Sequence, residues 1–164
     1  MTEVPVVTFA GVVHPWMCDA MGHLNVRHYM AMLDDASFQL LGRIGGLGMD
    51  MKRYGWADVR MEIDYLRETS VGTTVSVHSH VEAVGTSSLT YAHTLSGTLD
   101  GLPRARMRIV TLHFDLLERR KAKLPDEMRE RADELRIADD LSPEPESESG
   151  HQGADGSRSA GREG

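Results

Sequence analysis

The sequence predicts an α+β fold in which a five-stranded antiparallel sheet wraps one long central helix. Three observations predict it. Apolar residues recur at three- and four-residue spacing from Val26 to Ile44, as one face of an amphipathic helix requires. The chain that follows falls into four segments in which apolar and polar residues alternate with the period of a half-buried strand. Short turn signals, chiefly Gly85-Thr86 and Asp100-Gly101-Leu102-Pro103, join those segments, and a helix followed by such a meander is the simplest α+β arrangement.

The elements follow in order. Val6 to Val13 is β-rich and stops ahead of Pro15, which predicts a first strand. Asn25 is placed to cap the helix, its side-chain oxygen taking one of the N–H groups that a helix start leaves without a partner. The helix then buries Val26, Tyr29, Met30, Leu33, Ala36, Ser37, Leu40, Leu41 and Ile44, with Arg27, His28, Asp34, Asp35, Gln39 and Arg43 mostly opposite. It ends at Gly45-Gly46 and spans roughly 28 Å at about 1.5 Å per residue. Met32 and Phe38 lie off the stripe, which predicts cover on more than one side.

In the second strand Ala57, Val59, Met61, Ile63 and Tyr65 share a face, and Glu68 to Gly72 forms the connection onward. The third strand sets Val75, Val77, Val81 and Ala83 against Ser76, His78, His80 and Glu82; the fourth aligns Leu89, Tyr91, His93 and Leu95. The fifth sets Ala105, Met107, Ile109 and Thr111 against Arg106, Arg108, Val110, Leu112 and Phe114. A short exposed helix is predicted at about 125–138, with Met128, Ala132 and Leu135 as its apolar stripe. Residues 1–140 are therefore read as one domain. Residues 141–164, rich in Ser, Gly and Glu, are too poor in apolar side chains to offset the entropy of ordering and are read as a disordered acidic tail. A sheet covering one helix keeps an outer face and open edges, which predicts pairing with a second copy, as a dimer or a tetramer.

Composition excludes several classes. A formal charge of −7 disfavours nucleic acid, whose backbone demands a basic surface. No apolar run approaches the roughly 20 residues of a membrane span, and the first residues lack the pattern of a secretory leader, so a cytoplasmic location is expected. The single cysteine, Cys18, excludes an intrachain disulfide and any multi-cysteine metal site. The neighbouring Asp19 disfavours a thiolate at Cys18, which is read as a small packed residue. The ten methionines are read as gap-filling core.

The chemistry-bearing stretch is Cys18-Asp19-Ala20-Met21-Gly22-His23-Leu24-Asn25, directly ahead of the helix. A carboxylate beside a helix N-terminus suits an acyl carbonyl: one group attacks or activates water, and free N–H groups receive the developing negative charge. Asp19 is thus the candidate catalytic carboxylate, the alternative being a turn-forming aspartate. His23 either bonds Asp19 or the substrate, or fills a polar pocket. Asn25 caps the helix and is a second candidate for substrate contact. Tyr29 is assigned to packing first and to substrate contact second. Arg104, Arg106 and Arg108 alternate as a cationic strip that either holds phosphates or forms a solvated face. His78, His80, His93 and His113 invite a metal reading, but strand histidines are ordinarily half-exposed polar positions. The sequence places no third ligand beside His78 and His80, and no metal is expected.

The element order, with Asp19, Gly22, His23, Asn25 and Tyr29 spaced as Asp-x-x-Gly-His-x-Asn-x-x-x-Tyr, resembles the hotdog-fold acyl-CoA thioesterases. The branch most similar is that of the 4-hydroxybenzoyl-CoA and betainyl-CoA thioesterases. Leu33-Asp34-Asp35-Ala36, and Glu62-Ile63-Asp64-Tyr65-Leu66-Arg67-Glu68 followed by Val71-Gly72, extend the likeness over about Val6 to Leu117. The resemblance implies hydrolysis of an acyl-CoA to free acid and coenzyme A, with Asp19 as nucleophile or general base and the Val26 backbone N–H polarising the carbonyl. It implies no cofactor, and a dimer or tetramer with sites between subunits. A thiolate leaves readily, so no strong general acid is required. His23-Leu24-Asn25 departs from the small apolar sequence of several relatives, and neither Asp34 nor Asp35 clearly replaces the helix glutamate of a second branch. Two other readings stay open: an enoyl-CoA hydratase or dehydratase on the same fold, and a non-catalytic acyl-thioester binder.

Overall fold

The computed structural model describes residues 4–46 and 48–137. Strand β1 (Val6–Val12) leads through a single 3-10 turn at Pro15–Met17 to helix α1 (Val26–Gly45). Then come β2 (Tyr54–Tyr65), β3 (Thr74–Val84), β4 (Ser88–Gly97), β5 (Pro103–Asp115), the two-residue β6 (Arg120–Lys121) and helix α2 (Asp126–Glu134). All strand pairs are antiparallel, in the order β1-β3-β4-β5-β2, with β6 paired to the end of β5. This is a hotdog fold, the sheet curled about α1. The predicted five strands are present and β6 is a sixth. Residues 141–164, read as a disordered tail, lie outside the described residues.

Helix α1 begins and ends where its capping chemistry allows. The Asn25 side chain accepts from the Arg27 N–H, and at the other end Gly46 adopts φ 69°, a left-handed conformation that favours glycine. The last carbonyls are also held from outside the helix. Arg131 of α2 donates from Nε to the Ile44 carbonyl at 2.7 Å and from Nη2 to the Gly45 carbonyl at 3.2 Å. Leu33, Ala36, Leu40 and Ile44 are fully buried against Val75, Val77, Val81, Leu89, Leu95 and Ile109, and Leu124, Met128 and Ala132 join the same core. Each large side chain so buried contributes about 1.5–3 kcal/mol. Met32 is covered as predicted, whereas Phe38 is 68% exposed in the single chain.

The register shifts at four places among the described strands. The residue left over is Thr8 in β1, Val59 in β2, Glu82 in β3 and Arg104 in β5. An extra residue flips every side chain beyond it to the other face. In β2 the face opposite the inward residues of β5 is therefore Trp56, Asp58, Met61, Ile63 and Tyr65, which corrects the predicted grouping of Ala57 and Val59 with them. In β3 the same effect exposes Ala83 and sends Val84 toward the core. Helix α2 is shorter than the predicted 125–138. Pro125 stands at its N-cap and the helix ends at Glu134, because the chain then bonds to β3: Val81 N–H to the Leu135 carbonyl at 2.9 Å, Ile137 N–H to the Val81 carbonyl at 3.0 Å.

The core also holds a polar chain between α1 and the sheet. Ser37 Oγ donates to the Leu33 carbonyl at 3.1 Å, so it accepts from His93 Nε2 at 3.0 Å. His93 Nδ1 meets Ser79 Oγ at 2.6 Å, and Ser79 Oγ meets Thr8 Oγ1 at 2.5 Å, the Thr8 hydroxyl also donating to the Val77 carbonyl at 3.3 Å. Against the expectation of half-exposed strand histidines, His93 and His113 are buried, and burial keeps His93 neutral. Burial, with a smaller push from His80, lowers its pKa to about 3. The unfolded chain binds a proton near pH 6.5 that the folded chain refuses, so His93 lowers stability as pH falls through the window from about 6.5 to about 3. Urea unfolding at pH 7.5 and pH 5 is expected to show a loss of about 2 kcal/mol from this group in the wild type, absent in His93→Gln.

Candidate functional site

The loop ahead of α1 is a tight hairpin. Cys18 and Leu24 form an antiparallel bridge, the Asp19 N–H donates to the His23 carbonyl at 2.9 Å, and the Asn25 N–H donates to the Met17 carbonyl at 2.9 Å. Gly22 makes the reversal at φ 83°; a Cβ there would meet nothing, so backbone conformation rather than crowding calls for glycine. Met17 to Asp19 thus lies beside His23 to Asn25, and the chain carrying Asp19 is held against the start of α1.

Asp19 makes the turn expected of a turn-forming aspartate. Its Oδ1 accepts the Met21 N–H at 2.9 Å and the His23 N–H at 3.3 Å. Those bonds fix the carboxylate and leave Oδ2 without a hydrogen-bond partner among the described residues. At the helix start, the Asn25 side chain takes the Arg27 N–H at 3.1 Å, and the Asn25 carbonyl takes His28 and Tyr29 at 2.9 and 3.3 Å. The Val26 N–H, the first of α1, finds no acceptor among the described residues. A half-exposed carboxylate and a free N–H on a positive helix end are therefore set on one hairpin.

The connection from β2 to β3 backs this hairpin. The Leu24 N–H donates to the Thr69 carbonyl at 2.8 Å, and His23 forms a bridge with Ser70. The His23 ring turns to Glu68, Nε2 to Oε2 at 3.3 Å, and among the described residues it makes no hydrogen bond to the Asp19 carboxylate. The sequence reads Glu68 as part of a connection and of the stretch that carries the resemblance, and no local pattern ties it to His23. Tyr29 is buried. Its hydroxyl pairs with Thr69 Oγ1 at 2.7 Å and reaches the Arg67 carbonyl at 3.4 Å, and its ring meets Tyr65 edge-on at 5.3 Å. Burial raises its pKa, partly offset by the Thr69 hydrogen bond.

The arginine strip is divided. Arg104 pairs with Asp100, and its carbonyl accepts the Leu66 and Arg67 N–H groups at 2.8 and 3.1 Å, which sets this end of β5 behind Tyr29. Arg108 pairs with Glu82 at 2.6 Å. Arg106, between Asp64 and Thr94 in register, has no side-chain partner among the described residues. His78 and His80 share the outer sheet face. Among the described residues no group of three or more His, Cys, Asp or Glu is placed to hold a metal, and no helix is long and apolar enough to cross a membrane.

Residues 13–132 match the family model of the thioesterase-like superfamily, and the chain belongs to that family. It is by that membership a thioester hydrolase. Among solved structures it is similar to a thioesterase from Thermus thermophilus complexed with coenzyme A and zinc, at 27% identity, covering 82% of this chain and 96% of that one with a TM-score of 0.68. A predicted thioesterase from Bacillus stearothermophilus is 24% identical, covering 79% and 97%, with a TM-score of 0.69. A 1,4-dihydroxy-2-naphthoyl-CoA thioesterase from Synechocystis is 18% identical, covering 79% and 96%, with a TM-score of 0.68. No curated protein matches the chain in sequence.

Tyr29 tests the packing reading. Tyr29→Phe is expected to cost about 1–2 kcal/mol in chemical denaturation, since it strands the buried Thr69 hydroxyl, and to change kcat less than about threefold. A large fall in kcat at unchanged stability would instead make Tyr29 a substrate contact.

Proposed function

We propose that this thioester hydrolase acts on an acyl-CoA, in the manner of the 4-hydroxybenzoyl-CoA thioesterase-like branch, releasing the free acid and coenzyme A. One observation carries the reading: Asp19, pinned through Oδ1 with Oδ2 unengaged, shares a hairpin with the unpartnered Val26 N–H. The coenzyme A bound by the Thermus relative, and the CoA thioester named for the Synechocystis one, support the choice of substrate.

In this mechanism the thioester carbonyl oxygen lies on the Val26 N–H, where the α1 dipole receives the charge of the tetrahedral intermediate. Asp19 Oδ2 either attacks the carbonyl carbon to form a mixed anhydride, or takes a proton from the attacking water. The chemistry runs on a carboxylate and an N–H, with no cofactor. Asn25 contributes by holding the helix start. Arg106, the arginine of the strip without an acidic partner, is the candidate for coenzyme A phosphate, with Arg104 held back by Asp100. We further propose a dimer or higher assembly. The β2 edge is open, and Val59, Met61, Tyr65 and Leu66 along it are exposed together with Phe38 of α1.

The test is thiol release from short, long, aromatic and cationic acyl-CoAs in a Cys18→Ser background, which removes the protein's own thiol from the readout. Asp19→Asn is expected to lower kcat by about 10²–10⁴-fold with the fold intact by circular dichroism. Release that ignores Asp19 would end this assignment.

A further inference from the structure

Resting on that reading, we propose that Asp58, backed by Tyr91 and Thr111, forms the far end of the acyl site and selects an acyl group that ends in a hydrogen-bond donor, an ammonium or a hydroxyl. The three residues come from three neighbouring strands. In register Asp58 of β2 faces Thr111 of β5, and Thr111 faces Leu89 of β4, one step along the inward face from Tyr91. Asp58 therefore points to the core side of the sheet, yet it is exposed and has no hydrogen-bond or ion-pair partner among the described residues. Tyr91 and Thr111 are fully buried, and neither hydroxyl has a partner at hydrogen-bond geometry among the described residues. Ser37 stands beside the Tyr91 hydroxyl but is itself bonded to Leu33 and His93. Burial raises the Tyr91 pKa, Ser37 opposes the rise, and the charges of Asp58 and Asp34 add to it, as carboxylates near the hydroxyl do.

The subsite stands at the end of a gap that begins at the Asp19 hairpin. Tyr29, in the first turn of α1, meets Tyr65 at 5.3 Å, so the helix start stands over the last residue of β2. Farther along α1, Ser37 bonds His93, whose ring meets Tyr91 at 5.2 Å, and Tyr91 is level with Ile109 and Met61 in register. The inward face of β2 thus runs from Tyr65 through Ile63 and Met61 to Asp58, alongside Val26, Met30 and Asp34 of α1. Those three helix residues, spaced by four, share one line and span roughly 12 Å of the axis. A chain whose carbonyl lies on the Val26 N–H follows this mostly apolar gap, and only its far end meets Asp58. Cross-strand partners stand close enough for their side chains to touch. In the occupied site the Thr111 hydroxyl therefore donates to one Asp58 oxygen and holds it, while the other oxygen takes the donor of the ligand. A plain hydrocarbon end would strip water from Asp58 and offer no bond in exchange.

Selectivity separates this role from a structural one. The kcat/KM for thiol release is measured on straight-chain acyl-CoAs from octanoyl to dodecanoyl, each in plain, ω-hydroxy and ω-amino form. Wild type is expected to favour both substituted forms over the plain chain by about tenfold or more at its best length. Asp58→Asn is expected to cut the ω-amino preference about tenfold, and Thr111→Val to cut it about threefold. The ω-hydroxy series and Thr111→Val involve no change of charge, so they separate the subsite from attraction by the acidic protein as a whole. A wild type as fast on plain chains, or a preference that Asp58→Asn leaves intact, would overturn the proposal while leaving the thioesterase reading in place. So would an Asp58→Asn variant that falls to a smaller assembly than wild type in size-exclusion chromatography, which would assign the carboxylate to an interface. A wild type inert toward every acyl-CoA, the aromatic ones included, would overturn both.

Discussion

A helix start exposes N–H groups that the helix itself cannot satisfy, and the region around α1 is arranged around that deficit. Asn25 spends its side chain on Arg27 and its carbonyl on His28 and Tyr29, so the Val26 N–H is left over. The Asn25 N–H is in turn held by Met17, which folds the preceding chain back and lays Asp19 alongside. The burial of Tyr29 and Leu33 keeps the helix from shifting relative to this hairpin. A carboxylate with one free oxygen and a helix start with one free N–H, both on one hairpin among the described residues, are the product of those ordinary requirements.

The far end of the helix is treated differently. There the deficit is in acceptors needing donors, and Arg131 covers the Ile44 and Gly45 carbonyls from α2. The last carbonyls of α1 are therefore covered from α2, whereas the Val26 N–H at its start has no acceptor among the described residues. The buried Ser37–His93–Ser79–Thr8 chain lies between helix and sheet and ties α1 to β4, β3 and β1. Protonating the buried His93 costs stability, so this chain contributes to the fold's acid sensitivity.

Bulges account for where the strands depart from the alternating pattern. A period-two reading extends a strand from one apolar residue to the next and has no signal for an inserted residue. Thr8 is such an insertion, and its side chain bonds Ser79, a residue distant in sequence. Val59 likewise separates Trp56 and Asp58 from the grouping that alternation suggests. In both cases the deviation is decided by a partner strand, and the partner is invisible to local pattern. The end of α2 obeys the same rule, since Leu135 leaves the helix to bond Val81.

What the sequence determined by itself was local: the bounds and cap of α1, the inward faces of β4 and β5, the turns at Gly85 and Gly101, and the proximity of Asp19 to a helix start. Each rests on propensity, periodicity or a capping rule acting within a few residues. The tertiary structure decided what depends on contacts between distant segments. It turned the His23 ring to Glu68, buried the Tyr29 hydroxyl on Thr69, buried His93 as a neutral ring, and divided the arginine strip by giving Asp100 and Glu82 to two of its members. These choices lie beyond any single stretch of sequence because an ion pair or a buried hydrogen bond is specified by two positions at once, and only the fold brings the second one near.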